Sequence, residues 1–288
     1  MDLLQPAVDR LVAADAAAVN RPDAQAWTLL GLRAAGEDAS AHASRLARFQ
    51  LEDGSLPVRP DLPQAHWPTA IAALAWAGLG DDSRSRARLA TRFLTHIEGQ
   101  HQPKPDTVGH DTSIIGWSWI DKTHSWVEPS SLALLAIDRA GVDDDRAERA
   151  KKRAAWATDM IMDRQLPGGG WNYGNTVVLK NTLKPLPEET AMALAALRGR
   201  VEAAEVGRSL KYLDSERPHL RSPATLAWAL LASKAWGRPV DSEPLVRACL
   251  GAQSVVGEYP VDMLAQLLVA VRRPELVLGE TDAEGRHG

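Results

Sequence analysis

The chain holds a single cysteine, Cys249, in 288 residues. One thiol cannot close a disulfide within the chain, so no covalent framework supports the fold and the redox compartment stays open. Positive charge is not in excess: 33 Lys and Arg stand against 37 Asp and Glu, a net charge of −4. Phosphate backbones call for a basic face, which excludes nucleic acid as the main partner. No apolar run reaches the ~18 residues of a membrane span. The start, Met-Asp-Leu-Leu-Gln, lacks the basic residues and apolar stretch of a secretion signal, so the expected compartment is the cytoplasm. Phe and Tyr are scarce, 2 and 3, yet there are 10 Trp. Large flat side chains are therefore wanted at particular places. The remainder, 45% apolar and 24% charged, is that of a globular chain long enough for a sizeable core.

What is present is repetition. Pro22, Pro68, Pro129, Pro187, Pro223 and Pro260 each open a small-apolar run, such as PTAIAALAWAGLG from Pro68 and PATLAWALLASKAWG from Pro223. Five runs end in glycine 12 or 14 residues on, at Gly36, Gly80, Gly141, Gly199 and Gly237. Proline suits the first helical turn, where its missing N–H is no loss, and glycine suits the left-handed residue after the last turn. Each run therefore predicts a helix of about 12 residues that is apolar nearly all round and hence buried. Between these inner helices lie amphipathic segments at 3–18, 38–50, 83–97, 145–165, 203–213 and 242–253, each with one apolar stripe. Six inner and six outer helices in alternation predict an all-α fold, a single (α/α)6 toroid over residues 1–274. The polar stretch 275–288 is expected to be a frayed tail.

The acidic runs after Gly36, Gly80 and Gly141, including Asp143-Asp144-Asp145, invite a metal reading. All of them sit where an outer helix begins, so dipole matching and capping explain them as a group.

A second motif ends three outer helices. Gln165 to Trp171 reads QxxxGxW, Gln253 to Tyr259 reads QxxxGxY, and Gln50 to Leu56 keeps the Gln and Gly but lacks the aromatic. A Gln amide stacked on an indole, with Gly permitting a tight reversal, would clamp an outer helix to an inner one. These motifs resemble the QW repeats of the prenyltransferase/squalene oxidase repeat proteins, in the superfamily of terpenoid cyclases and protein prenyltransferases. GWSWIDKTHSWVEPSSLALLAI (116–137) and RQLPGGGWNYGNTVV (164–178) look most like bacterial members, and the resemblance covers roughly residues 20–272. It implies a toroid and an isoprenoid-like substrate. The chain departs from the family's catalytic patterns. There is no DxDD acid, the length allows one barrel rather than two, and Cys249 lacks the Asp two residues before it that zinc-binding prenyltransferases carry. No metal and no cofactor are expected.

Toroid pockets open where inner helices begin. The unusual residues gather there: His110, Asp111, Trp117, Trp119, His124 and Trp126 before the third inner helix, Trp171 and Tyr173 after the second knot, and Trp67 before the second inner helix. Glu128 and Glu188 fall at equivalent positions of the third and fourth inner helices, where the middle Asp of DxDD would lie. The expected site is a Trp-lined apolar pocket. Its catalytic acids are Glu128 and Glu188, and Trp67, Trp117, Trp119, Trp126, Trp171, Tyr173, Asp111 and His124 bind the substrate. Two function classes follow. One is acid-initiated cyclisation of an isoprenoid, in which indole faces stabilise a cation. The other is a non-catalytic toroid that holds a lipid, a peptide or a protein partner.

Overall fold

The computed structural model describes residues 2–238 and 240–280. In chain order, α1 (Gln5–Val12) and α2 (Pro22–Ala35) are followed by α3 (Ser40–Ala47), α4 (Pro68–Trp76), α5 (Asp81–His96) and α6 (Val127–Ala140). Then come α7 (Ala147–Asp163), α8 (Pro187–Leu197), α9 (Gly207–Glu216), α10 (Pro223–Ala235), α11 (Glu243–Gly251), α12 (Gln253–Val256), α13 (Val261–Arg272) and α14 (Glu275–Leu278). One small antiparallel pair, β1 (Val177–Val178) with β2 (Asn181–Thr182), interrupts the helices.

The fold is the all-α toroid that the repeat implies. Helices α2, α4, α6, α8, α10 and α13 each pack on the next, and α13 packs back on α2, which closes the ring. Outer helices lie against their inner partners, and α1 sits between α13 and α2. Small side chains let the inner helices approach: a Cβ on Gly31 would come within 2.6 Å of the Ala265 Cβ on α13. Trp27 of α2 meets Trp228 of α10 edge to face, with ring centroids 5.9 Å apart, although α13 separates the two helices in the ring. Both indoles are buried, so aromatic bulk fills part of the lumen.

The prolines mark helix starts as expected, with two shifts. Pro129 is the third residue of α6, and Pro260 is the cap before α13. The glycine pattern needs one correction. Gly36, Gly141, Gly199 and Gly237 have positive φ, but α4 ends early at Trp76 and Gly78 (φ +75°) turns the chain, so Gly80 instead precedes α5.

The frayed tail expected from 275 is also corrected. Residues 275–278 form α14, which buries Leu276, Val277 and Leu278 against α4 and α6 and receives a 3.0 Å hydrogen bond from Arg198 to the Leu278 carbonyl. Three apolar side chains in sequence supply the burial that the polar residues around them hid. The rest of the expected tail, 281–288, lies outside the described residues.

Candidate functional site

Two of the three Gln motifs reach sideways to the next outer helix. Gln165 Nε2 donates to Ser209 Oγ (2.9 Å) and the Glu205 carbonyl (3.2 Å), at the start of the next outer helix. Gln50 Nε2 donates to the Arg86 carbonyl (3.0 Å) on α5. The glycines follow suit: a Cβ on Gly54 would sit 2.2 Å from the Leu89 carbonyl oxygen, and one on Gly169 would sit 2.6 Å from the Arg208 carbonyl carbon. Each of these two knots therefore ties one outer helix to the next. In the third, Gln253 Oε1 accepts from the Tyr259 amide (3.2 Å) and space around Gly257 is open.

Three residues of the loops that precede inner helices are anchored by those helices. The amides of Leu56, Trp117 and Trp171 donate to Thr69, Ser130 and Thr190 hydroxyls, each at 2.9 Å. The indole N–H groups of Trp117 and Trp171 donate to the carbonyls of Leu94 and Ile161, near the ends of α5 and α7. Both rings are buried, and Arg153 lies 4.3 Å over Trp117. Trp117 and Trp171 are thus anchored in the core, and neither lines the cavity beside Trp126 and His124. Asp111 is also placed otherwise: its Oδ1 accepts from the amide and hydroxyl of Ser113, a loop turn that keeps its carboxyl below the usual range. Trp67 caps α4 and leans on the core.

The remaining nominated residues come together. Trp119 stacks on Trp126 (centroids 5.2 Å, 25° between planes) and meets Tyr173 at 6.0 Å edge-on, while His124 meets the edge of Trp126 at 6.2 Å. Two backbone bonds hold this group at the head of α6. The Trp126 amide donates to the Trp117 carbonyl (2.9 Å) and the Val127 amide to the Tyr173 carbonyl (3.0 Å). Trp119 Nε1 donates to Glu128 Oε2 at 3.2 Å.

Glu128 is the second residue of α6. Asp23, Glu188 and Asp262 are likewise the second residues of α2, α8 and α13, and Glu189 follows Glu188. The mouth of the ring is therefore acidic. Asp23 and Arg21 are the members that sequence reasoning missed. The carboxylates of Asp23 and Asp262 share Arg21, hydrogen-bonded to the first and 3.6 Å from the second. Among the described residues no salt bridge reaches Glu128, Glu188 or Glu189. Glu188 Oε2 instead accepts from Thr225 Oγ1 at 2.5 Å.

A helix N-terminus favours a carboxylate. Glu128 goes the other way. Burial first, then the negative charges of Glu188, Glu189 and Asp23, push its carboxyl from the ordinary 4.5 to about 7, against the Trp119 hydrogen bond. Burial also raises Glu189. Tyr173 is raised chiefly by the charge of Glu189, although half its surface is exposed. The arrangement thus offers an acid that keeps its proton to near neutrality, beside other carboxylates and under an aromatic cluster.

A cavity of about 160 Å³ lies beside this mouth rather than on the ring axis. Trp126 and His124 line it, with loop residues that include His110, Gln102 and Thr112. Among the described residues no group of three or more His, Cys, Asp or Glu could hold a metal ion, and no helix is long and apolar enough to cross a membrane.

No protein-family model matches the chain, and no curated protein is similar to it in sequence. Among solved structures it is similar to a mutant of Rex8A from Paenibacillus barcinonensis complexed with xylose. The identity is 10% and the TM-score 0.53, over 90% of this chain and 84% of that one. At that identity the likeness concerns the fold.

Proposed function

We propose that the mouth is a general-acid site at which Glu128 protonates an oxygen of a saccharide-like substrate. The neighbouring carboxylates Glu188 and Glu189 would stabilise the positive charge that develops at the reacting carbon. The observation that carries this reading is the place of the Glu128 carboxyl, bonded to the Trp119 indole of the Trp119–Trp126 stack at the head of α6, where burial and the Glu188 and Glu189 charges raise it to about 7. An acid of that strength is matched to protonating a leaving oxygen at neutral pH. Protonating an alkene calls for a much stronger acid. Paired carboxylates flanking a glycosidic bond are the usual machinery for its hydrolysis. Trp119, Trp126 and Tyr173 offer faces for a sugar ring, and Thr225 and Glu188 offer partners for its hydroxyls. The xylose held by a protein of similar fold accords with this substrate class.

A second reading is acid-initiated chemistry on an isoprenoid. The stacked Trp119–Trp126 pair beside Glu128 favours it, since indole faces attract a cation, as does the resemblance of the repeats.

The test is turnover of a panel of aryl glycosides and of isoprenoids by wild type, Glu128→Gln and Glu188→Gln. The expected result is glycoside cleavage whose kcat falls as pH rises through about 7, and which drops at least ~100-fold in Glu128→Gln. Turnover of isoprenoids alone would favour the second reading. Binding without turnover of either would return the mouth to a non-catalytic role, with a lipid, peptide or protein as the occupant.

A further inference from the structure

The cavity beside the mouth has a different electrical character from the mouth itself. His110 lines it, is only 3% exposed, and has a buried Nδ1 without a hydrogen-bond partner. Buried polar atoms are seldom left unpaired, so its partner is to be sought in what enters the space. Arg164 forms the floor. Its guanidinium donates to the carbonyls of Gly174 (2.9 Å) and Asp111 (3.1 Å), and its Nε is 3.4 Å from Asp163 Oδ2. That carboxylate in turn accepts the Asp111 amide at 2.7 Å. Lys104 reaches the Gly109 carbonyl beside the cavity. The charges facing His110 are thus Arg164, Lys104 and His124 on one side and Asp111 on the other, with the Asp111 carboxylate turned to Ser113. Burial first, and then the positive groups, push His110 down to about 4.

Trp126 is the wall between the two compartments. One part of it lines the cavity, and its ring stacks on Trp119 at the mouth. The free volume, about 160 Å³, is close to the ~150 Å³ in which an engineered cavity holds benzene.

We infer that this cavity is a second ligand site, for a small organic anion of roughly benzoate size. Its planar or apolar part lies against Trp126, and its carboxylate or phosphate is met by His110 with the polar side chains of Gln102, Thr112 and Asn175. Glu128 does not line this cavity. The anion would offset the positive field around His110, so binding should carry a proton onto the imidazole and tighten as pH falls from 8 to 6.

The test is calorimetric titration of the whole protein with benzoate, with neutral benzamide as isostere and inorganic phosphate as the other anion, in two buffers of different ionisation enthalpy. Benzoate or phosphate is expected to bind at one site at least tenfold more tightly than benzamide, with net proton uptake. His110→Gln should lose the uptake and at least tenfold in affinity. Should that variant fail to fold, Gln102→Glu, a change at an exposed position, places a negative charge on the rim and should weaken anion binding at least tenfold without altering the melting temperature. Equal affinity for benzamide, no binding of either anion at millimolar concentration, or wild-type anion binding by Gln102→Glu would overturn the proposal.

Discussion

Replacing Glu128 by Gln should make the protein more stable above neutral pH. The carboxyl titrates near 7 in the folded state against 4.5 ordinarily. Below pH 4.5 both states hold the proton, and the site has no pH-dependent effect. Between 4.5 and 7 the unfolded chain releases its proton while the folded one keeps it, so folded stability falls with rising pH. Above 7 the loss levels off. At 1.36 kcal/mol per pH unit the full penalty is roughly 3 kcal/mol. Gln has the same shape, carries no charge and retains an oxygen for the Trp119 indole to donate to, so the variant should escape that penalty. For a chain of this size the gain corresponds to a melting temperature higher by roughly 6 °C at pH 8. At pH 4 the two proteins should melt together. The assay is calorimetric or circular-dichroism melting of both proteins from pH 4 to pH 8. Parallel curves, with the same pH dependence in wild type and variant, would refute the claim that Glu128 is held neutral by its surroundings. A gain in stability coupled to a loss of turnover is the pattern expected of a strained functional group.

Three further outcomes bear on the scaffold. Gly169→Ala combines positive φ with a clash against α9 and should lower stability by about 3 kcal/mol or more, whereas Gly36→Ala, in the left-handed helical region and in open space, should cost only about 1 kcal/mol; urea midpoints compare them. Gln165→Ala leaves Ser209 and the Glu205 carbonyl without their amide partner and should cost roughly 1–2 kcal/mol, so an unchanged urea midpoint would show the knot to be idle. Val277→Asp puts a charge into the fully buried face of α14 and should destabilise by about 3 kcal/mol or more, while Glu275→Ala on the same helix should change little; thermal melts of the pair decide whether α14 belongs to the core.

The ring was legible because its signals are local. A proline that starts a helix and a glycine that ends it act on their own few residues, so the period could be read directly. Gly80 misled because two glycines, Gly78 and Gly80, lie at the end of one run, and spacing alone cannot say which takes positive φ. Two of the three knots reach beyond their own motif. Gln50 and Gln165 find their partners 36 to 44 residues on, in helices whose packing the motif does not encode. Trp117 and Trp119 are two residues apart in one loop, yet one is anchored in the core and the other roofs the mouth. The signal that separates them is the hydroxyl at the head of the inner helix. Leu56 to Thr69 and Trp117 to Ser130 are 13 residues apart, but Trp171 to Thr190 is 19, so the hydroxyl marks the anchored residue and the spacing varies with the loop. Glu128 was nominated, but nothing nearby in sequence distinguishes it from Asp23, Glu188 or Asp262, which share its place on their helices. Its unusual acidity arises from three helices meeting in space.

The closure of α13 onto α2 also sets how the chain must fold. Asp2 and Arg272 form an ion pair 270 residues apart in sequence, and the helices beside them make the seam of the ring. During synthesis α2 emerges early and waits with one flank bare until α13 leaves the ribosome. An arc of five inner helices has two unsatisfied edges and no stable stopping point. The last step is therefore a clasp of very high sequence separation, followed by α14 reaching back across α4 and α6. Chains with such distant contacts fold slowly, and chains of this length pass through partly assembled intermediates. While the arc is open, its exposed edges are the places where two copies could trade helices.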